Sequence, residues 1–172
     1  LGAGAMGCLF GGLLAEKGLD VALIDVWKEH VEVINKNGLK IDGHGGDRFI
    51  KIKATVDPKT LNKVDAIIIM CKATALEQAL ISSKNIIGNN TVLMSFQNGI
   101  GHEAIMQKIA GKEKVLGGTT TQAANIIGPG NIKNHASLPS WIGEYEGGMS
   151  DRVNDVAETF TAYGLETIAS DN

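Results

Sequence analysis

The chain has 172 residues, 44% of them hydrophobic and 20% charged, with a formal net charge of -3. That length suits one domain with a full core, and that balance excludes a disordered chain and a polyphosphate-tracking surface, so nucleic acid is not an expected partner. Glycine is the outlier, with 22 residues against 3 prolines and no Gly-X-Y period, which excludes collagen and Pro-rich linkers and points to many tight turns.

Residues 1–4 (LGAG) read as the end of a strand entering a turn. The strand itself is largely missing, so the chain is expected to be a trimmed piece. Residues 5–17 predict a helix, with Met6, Leu9, Phe10, Leu13 and Leu14 at three- and four-residue spacing and Gly18 closing it. Residues 20–25 (DVALID) predict a buried strand. Residues 28–37 carry Val31, Val33 and Ile34 on a helical face and end at Gly38. Residues 39–41 and 49–54 predict a hairpin around the Gly-rich loop 42–47. Residues 64–71 (VDAIIIMC) predict a fully buried strand, 74–87 a helix stopped by Gly88, 91–96 a strand, 102–110 a helix and 115–119 a strand. Such alternation predicts βαβ units and a parallel sheet. Residues 122–143, with Gly128-Pro129-Gly130, read as antiparallel ribbon, 151–163 as an amphipathic helix and 166–169 as a last strand. No run of 18 apolar residues occurs, so no membrane association is expected. Cys8 and Cys71 read as reduced, buried thiols of a cytoplasmic protein. The 4 histidines are scattered, with no Cys/His pair at ligand spacing, so no metal is expected.

GAGAMG at residues 2–7 fits G-x-G-x-x-G and lies between a strand end and an amphipathic helix. Gly2 allows the tight turn, Gly4 lets the backbone approach a pyrophosphate, and Gly7 lets helix and strand pack closely. With Ala3, Ala5 and Met6 they form a candidate dinucleotide cradle at a helix N-terminus. Asp25 follows at the end of the second strand, where a carboxylate bonds a ribose 2′-OH and repels a 2′-phosphate. That leans to NAD, with Lys28 close by; a helix N-cap is the alternative role for Asp25. Lys72 follows a buried strand at the ligand edge of the sheet, where a cation can hold a carboxylate or polarise a carbonyl; a solvated strand-end Lys is the alternative. Asn98 ends the next strand with one donor and one acceptor group, or simply makes an Asn-Gly turn. Residues 117–121 end a third strand with small residues, followed by Ala123 and Ala124, which would let a flat ring lie on backbone or mark a β-bulge. Trp27 and Trp141 read as surface packing, His135 as a satisfied polar residue, and Glu144 and Glu146 as no acid–base couple.

Taken together, GAGAMG, MCKA at residues 70–73, SFQNGIG at 95–101, LGGTTTQAA at 116–124 and GPGNIKNH at 128–135 resemble the ketopantoate reductase (2-dehydropantoate 2-reductase) family. The resemblance runs along the whole chain. It implies an α/β, Rossmann-like doubly wound, mostly parallel sheet with an antiparallel extension near the C-terminus, spanning residues 1–172 as the dinucleotide-binding domain. It implies NAD(P)H-dependent reduction of ketopantoate, a small 2-keto acid, to pantoate, on the way to pantothenate and coenzyme A. The loop residues Gly2 to Gly7, Lys72, Asn98 and Ala124 are then cofactor-binding, with Lys72 and Asn98 also facing the substrate. NADPH is the cofactor by resemblance. However, many members carry an Arg where this chain has Val26, beside Asp25, which leaves NADH open. The family's catalytic lysine lies in a C-terminal helical domain that begins beyond residue 172. No catalytic residue is therefore assigned in this chain, which is expected to be inactive alone, and a homodimer through that domain stays open. The alternatives are an NAD-dependent dehydrogenase of another branched 2-hydroxy acid and a non-catalytic nucleotide-sensing module.

Overall fold

The computed structural model describes residues 1–99 and 101–171. Ile100, inside the 95–101 motif, and Asn172 lie outside the described residues. In chain order the elements are α1 (Ala5–Glu16), β1 (Ala22–Ile24), α2 (Lys28–Asn37), β2 (Leu39–Gly43), β3 (Arg48–Ile50), β4 (Lys53–Thr55), β5 (Val64–Ile69), α3 (Leu76–Ser82), β6 (Ile87–Ser95), α4 (His102–Ala110), β7 (Val115–Thr120), β8 (Ala123–Gly128), β9 (Asn131–Ala136), β10 (Ser140–Glu144), α5 (Asp151–Ala162) and β11 (Thr167–Ser170).

A five-stranded sheet runs β11-β10-β7-β6-β5. Its β5, β6 and β7 are parallel, β10 is antiparallel to β7, and β11 is parallel to β10. Helices cover both faces, as expected of a doubly wound sheet. Val153, Ala157 and Phe160 of α5 join Phe10 and Leu14 of α1 over Met94, Leu116 and Ile142 on one side. Leu76 and Leu80 of α3 and Met106 of α4 pack on Ile67, Ile69, Leu93 and Val115 on the other. A four-stranded sheet, β3-β2-β9-β8, and the parallel pair β1-β4 form the remainder. Cys8 and Leu9 of α1 and Val31 and Ile34 of α2 pack against this part. Gly11 and Gly12 weaken α1 as a helix, but a Cβ there would lie 2.7 Å from Leu23 and 2.8 Å from Ile41. Close packing on the strands therefore outweighs helix propensity.

Between β1 and β5 lies a groove of about 570 Å³, floored by apolar residues such as Phe10, Leu23, Ile67 and Val92. Leu1 and Gly2 lie in it and bridge the two strands. The Leu1 amine donates to the Ile68 carbonyl (2.7 Å), the Met70 N–H donates to the Leu1 carbonyl (2.8 Å), and the Gly2 N–H donates to the Ile24 carbonyl (2.8 Å).

Several predicted elements are divided or trimmed. The 49–54 strand is two: β3 pairs antiparallel with β2, then the chain turns through Lys51 and Ile52 so that β4 pairs parallel with β1. The 74–87 helix is α3 between two single 3-10 turns, and β6 starts at Ile87 and runs through Gly88 instead of stopping there. The strand expected to be fully buried, β5, exposes Asp65 and Ala66 at its start. The 122–143 ribbon is also divided: β8 and β9 form a hairpin in one sheet, while β10 crosses to the other.

Candidate functional site

Because β5, β6 and β7 are parallel, the residues that follow them gather at one edge of the sheet. The Leu1–Gly2 turn joins that edge from the groove. A Cβ on Gly2 would lie 2.3 Å from the Cys71 nitrogen, and one on Gly7 would lie 1.9 Å from the Gly2 oxygen. Gly2 also has φ +90°, which disfavours side chains. Gly2, Gly7 and Cys71 are thus in close contact, and Lys72 is the next residue. The Gln97 amide donates to the Cys71 carbonyl, which ties the loop after β6 to the same point and sets Asn98 beside it in sequence. His102, at the start of α4, closes this loop, since its Nε2 lies 3.0 Å from the Asn98 carbonyl oxygen and donates to it.

Gly4 is different. Its Cβ would meet nothing within 4 Å, its φ of -67° suits any residue, and it caps α1 without a side-chain bond. No acidic residue occupies the first turn of α1. The helix therefore presents uncompensated N–H groups and an open approach, and both fit an anion such as a pyrophosphate.

Asp25 lies just past β1, and its N–H continues the β1–β4 ladder to the Thr55 carbonyl (3.1 Å). The helix-cap alternative does not hold: the N-cap of α2 is Trp27, without a side-chain cap bond, and Asp25 Oδ1 accepts from the Trp27 N–H (2.9 Å). The carboxylate is thereby fixed at the turn, with Val26 beside it 91% exposed.

Lys72 and Asn98 have exposed side chains, and Lys72 makes no ion pair among the described residues. Ala124 lies on β8, part-buried beside α1. The smallness of residue 118 serves packing: a Cβ on Gly118 would lie 2.8 Å from the Phe96 ring, which itself packs on Phe10. His135 pairs with Asn125, and Glu144 pairs with Arg152 and Ser150, in keeping with structural roles for both. A second concavity of about 730 Å³, between Lys36, Gly38 and Phe49, opens at the other end of β1 and gathers none of these groups.

Sequence reasoning missed Cys8 with His30. They are 22 residues apart yet 3.3 Å from each other, both fully buried. The signal was present: His30 lies four residues before Ile34, on the buried face of α2. Burial pushes the Cys8 thiol up to about 12 and lowers the His30 pKa below its ordinary value, so the pair is neutral. Among the described residues no helix is long and apolar enough to cross a membrane.

This doubly wound architecture, with its glycine loop at the ligand edge, is a Rossmann-like nucleotide-binding fold. The ketopantoate reductase PanE/ApbA family profile matches residues 1–147. The chain is 41% identical over 172 residues to the 2-dehydropantoate 2-reductase of Pyrococcus horikoshii, covering all of this chain and 55% of that one. It is 32% identical over 173 residues to the 2-dehydropantoate 2-reductase of Lactococcus lactis, covering 99% and 55% respectively. Among solved structures, D-mandelate dehydrogenase with NADH and anilino(oxo)acetate superimposes with TM-score 0.93 at 34% identity, covering 99% of this chain and 55% of that one. The 2-dehydropantoate 2-reductase of Geobacter metallireducens superimposes with TM-score 0.91 at 26% identity, covering 99% and 56%. The chain belongs to the ketopantoate reductase family, and it spans about half the length of these relatives.

Proposed function

We propose that this chain is the cofactor-holding half of an enzyme that uses NAD(P)H to reduce 2-dehydropantoate to pantoate, a step toward pantothenate and coenzyme A. The observation that carries this is the close packing of Gly7 on Gly2 and of Gly2 on Cys71, with Gly4 left open and with Lys72 and Asn98 following Cys71 and Gln97 in sequence. The names of the curated relatives support the substrate. When bound, the reduced nicotinamide supplies a hydride, and negative charge then builds on the keto oxygen of the substrate. Lys72 would stabilise that charge or hold the substrate carboxylate. The Asn98 amide can orient a carboxamide or hydroxyl. The uncapped start of α1, from Gly4 through Ala5 and Met6, would take the pyrophosphate. No group in these residues is assigned to donate the proton. A cytoplasmic setting, where thiols such as Cys8 stay reduced, fits this role.

For the cofactor, the fixed Asp25 carboxylate favours NADH: it can accept from a ribose 2′-OH and would repel a 2′-phosphate. Fluorescence titration with NADH and NADPH tests this, with NADH expected to bind about tenfold or more tightly. Clear preference for NADPH would refute it. In the full-length protein, Lys72→Ala should lower kcat/KM for 2-dehydropantoate by at least about 100-fold. An unchanged rate would fit a nucleotide sensor instead. The NADH-bound D-mandelate dehydrogenase structure favours a second reading, an NAD-dependent dehydrogenase of another branched 2-hydroxy acid. Comparing 2-dehydropantoate with benzoylformate as substrate separates the two.

A further inference from the structure

His30 is buried 100 residues from its second partner. The Gly130 N–H, in the turn between β8 and β9, donates to His30 Nδ1 (2.9 Å). An imidazole that accepts at Nδ1 and is neutral carries its proton on Nε2. That proton points at Cys8 Sγ, 3.3 Å away. The thiol in turn donates to the Ala3 carbonyl oxygen at 3.1 Å. Every member is buried: Cys8 and His30 are at 0% exposure and Ala3 at 2%. The direction of the chain is therefore fixed, from Gly130 through His30 and Cys8 to Ala3. Trp27 stacks on the imidazole with ring centroids 4.9 Å apart, which holds the ring plane.

The consequence falls on the next peptide. The Ala3–Gly4 peptide is trans, so the plane that turns the Ala3 carbonyl inward turns the Gly4 N–H the opposite way. That is the N–H at the open end of the glycine loop. We propose that His30 and Cys8 are positioning residues: their relay locks the Ala3–Gly4 peptide so that its N–H faces the pyrophosphate of a bound dinucleotide. Without the lock, the peptide can flip its carbonyl oxygen toward the anion. This rests on the dinucleotide reading above, and it adds a role for two residues outside the loop.

The test uses full-length protein and two ligands, NADH and adenosine, the second lacking a pyrophosphate. Cys8→Ala removes the donor to Ala3, and Cys8→Ser restores one. His30→Phe removes both ring nitrogens while keeping a ring against Trp27, and His30→Gln restores a donor toward Cys8. Cys8→Ala and His30→Phe should weaken NADH about tenfold, the scale of one charge-facing hydrogen bond, and leave adenosine within about twofold. Cys8→Ser and His30→Gln should recover most of the loss. Equal losses for both ligands, or no loss of NADH, would overturn the proposal. Should His30→Phe fail to fold, the two Cys8 variants decide alone. Failure of the unsubstituted protein to bind NADH would overturn the dinucleotide reading, and this proposal with it.

Discussion

A Cβ added at Gly7 would lie 1.9 Å from the Gly2 carbonyl oxygen, whereas one added at Gly4 meets nothing within 4 Å. The two glycines of one motif therefore carry separable duties. Gly7→Ala drives a methyl group into backbone, and should cost about 2–3 kcal/mol of folding stability. Gly4→Ser suits its local backbone and gives α1 a better N-cap, so stability should stay within about 0.5 kcal/mol or rise. Yet its side chain would stand where an anion approaches, and NADH affinity should fall at least about tenfold. Thermal melts and NADH titration of the two variants check this, and the opposite assignment of effects would remove Gly4 from the site. The motif was legible because its glycines are close in sequence and each has a steric reason. The Cys8–His30–Gly130 relay was not, since spacings of 22 and 100 residues leave no local trace.

Among the elements, local pattern located most helices and strands but not their breaks. The 74–87 segment has helical spacing, yet Ser83 is buried and its N–H closes the end of α3, so the chain turns there before β6. Alternation over 49–54 hides a change of partner from β2 to β1, which depends on a pairing across the sheet. The crossing of β10 was equally hidden, and it is held at the far end of that strand. Glu144 accepts from Arg152 Nε (2.7 Å) and from Ser150 (2.6 Å), the N-cap residue of α5. Arg152 also donates to the Glu113 carbonyl, just before β7. The bond from Arg152 holds the Glu144 carboxyl below its ordinary 4.5. A carboxylate with a depressed folded pKa stabilises above 4.5, and that contribution is lost as pH falls through the folded value. Glu144→Gln should cost ~2 kcal/mol at pH 7. Urea melts should show that difference shrinking below pH 4.5, and a pH-independent difference would show that charge is not its source.

At the scale of the whole chain, the doubly wound plan was legible from the order of elements, but its division into three sheets was not. The five-stranded sheet and the β1–β4 pair meet through backbone bonds at Leu1 and Gly2, on either side of the groove. Asp25 follows β1 on one side of that joint and Lys72 follows β5 on the other, with the glycine loop leaving from between them. A molecule laid across the loop would meet a carboxylate on one flank and a cation on the other, so the order of charge along it, and not only its shape, would decide which way round it binds.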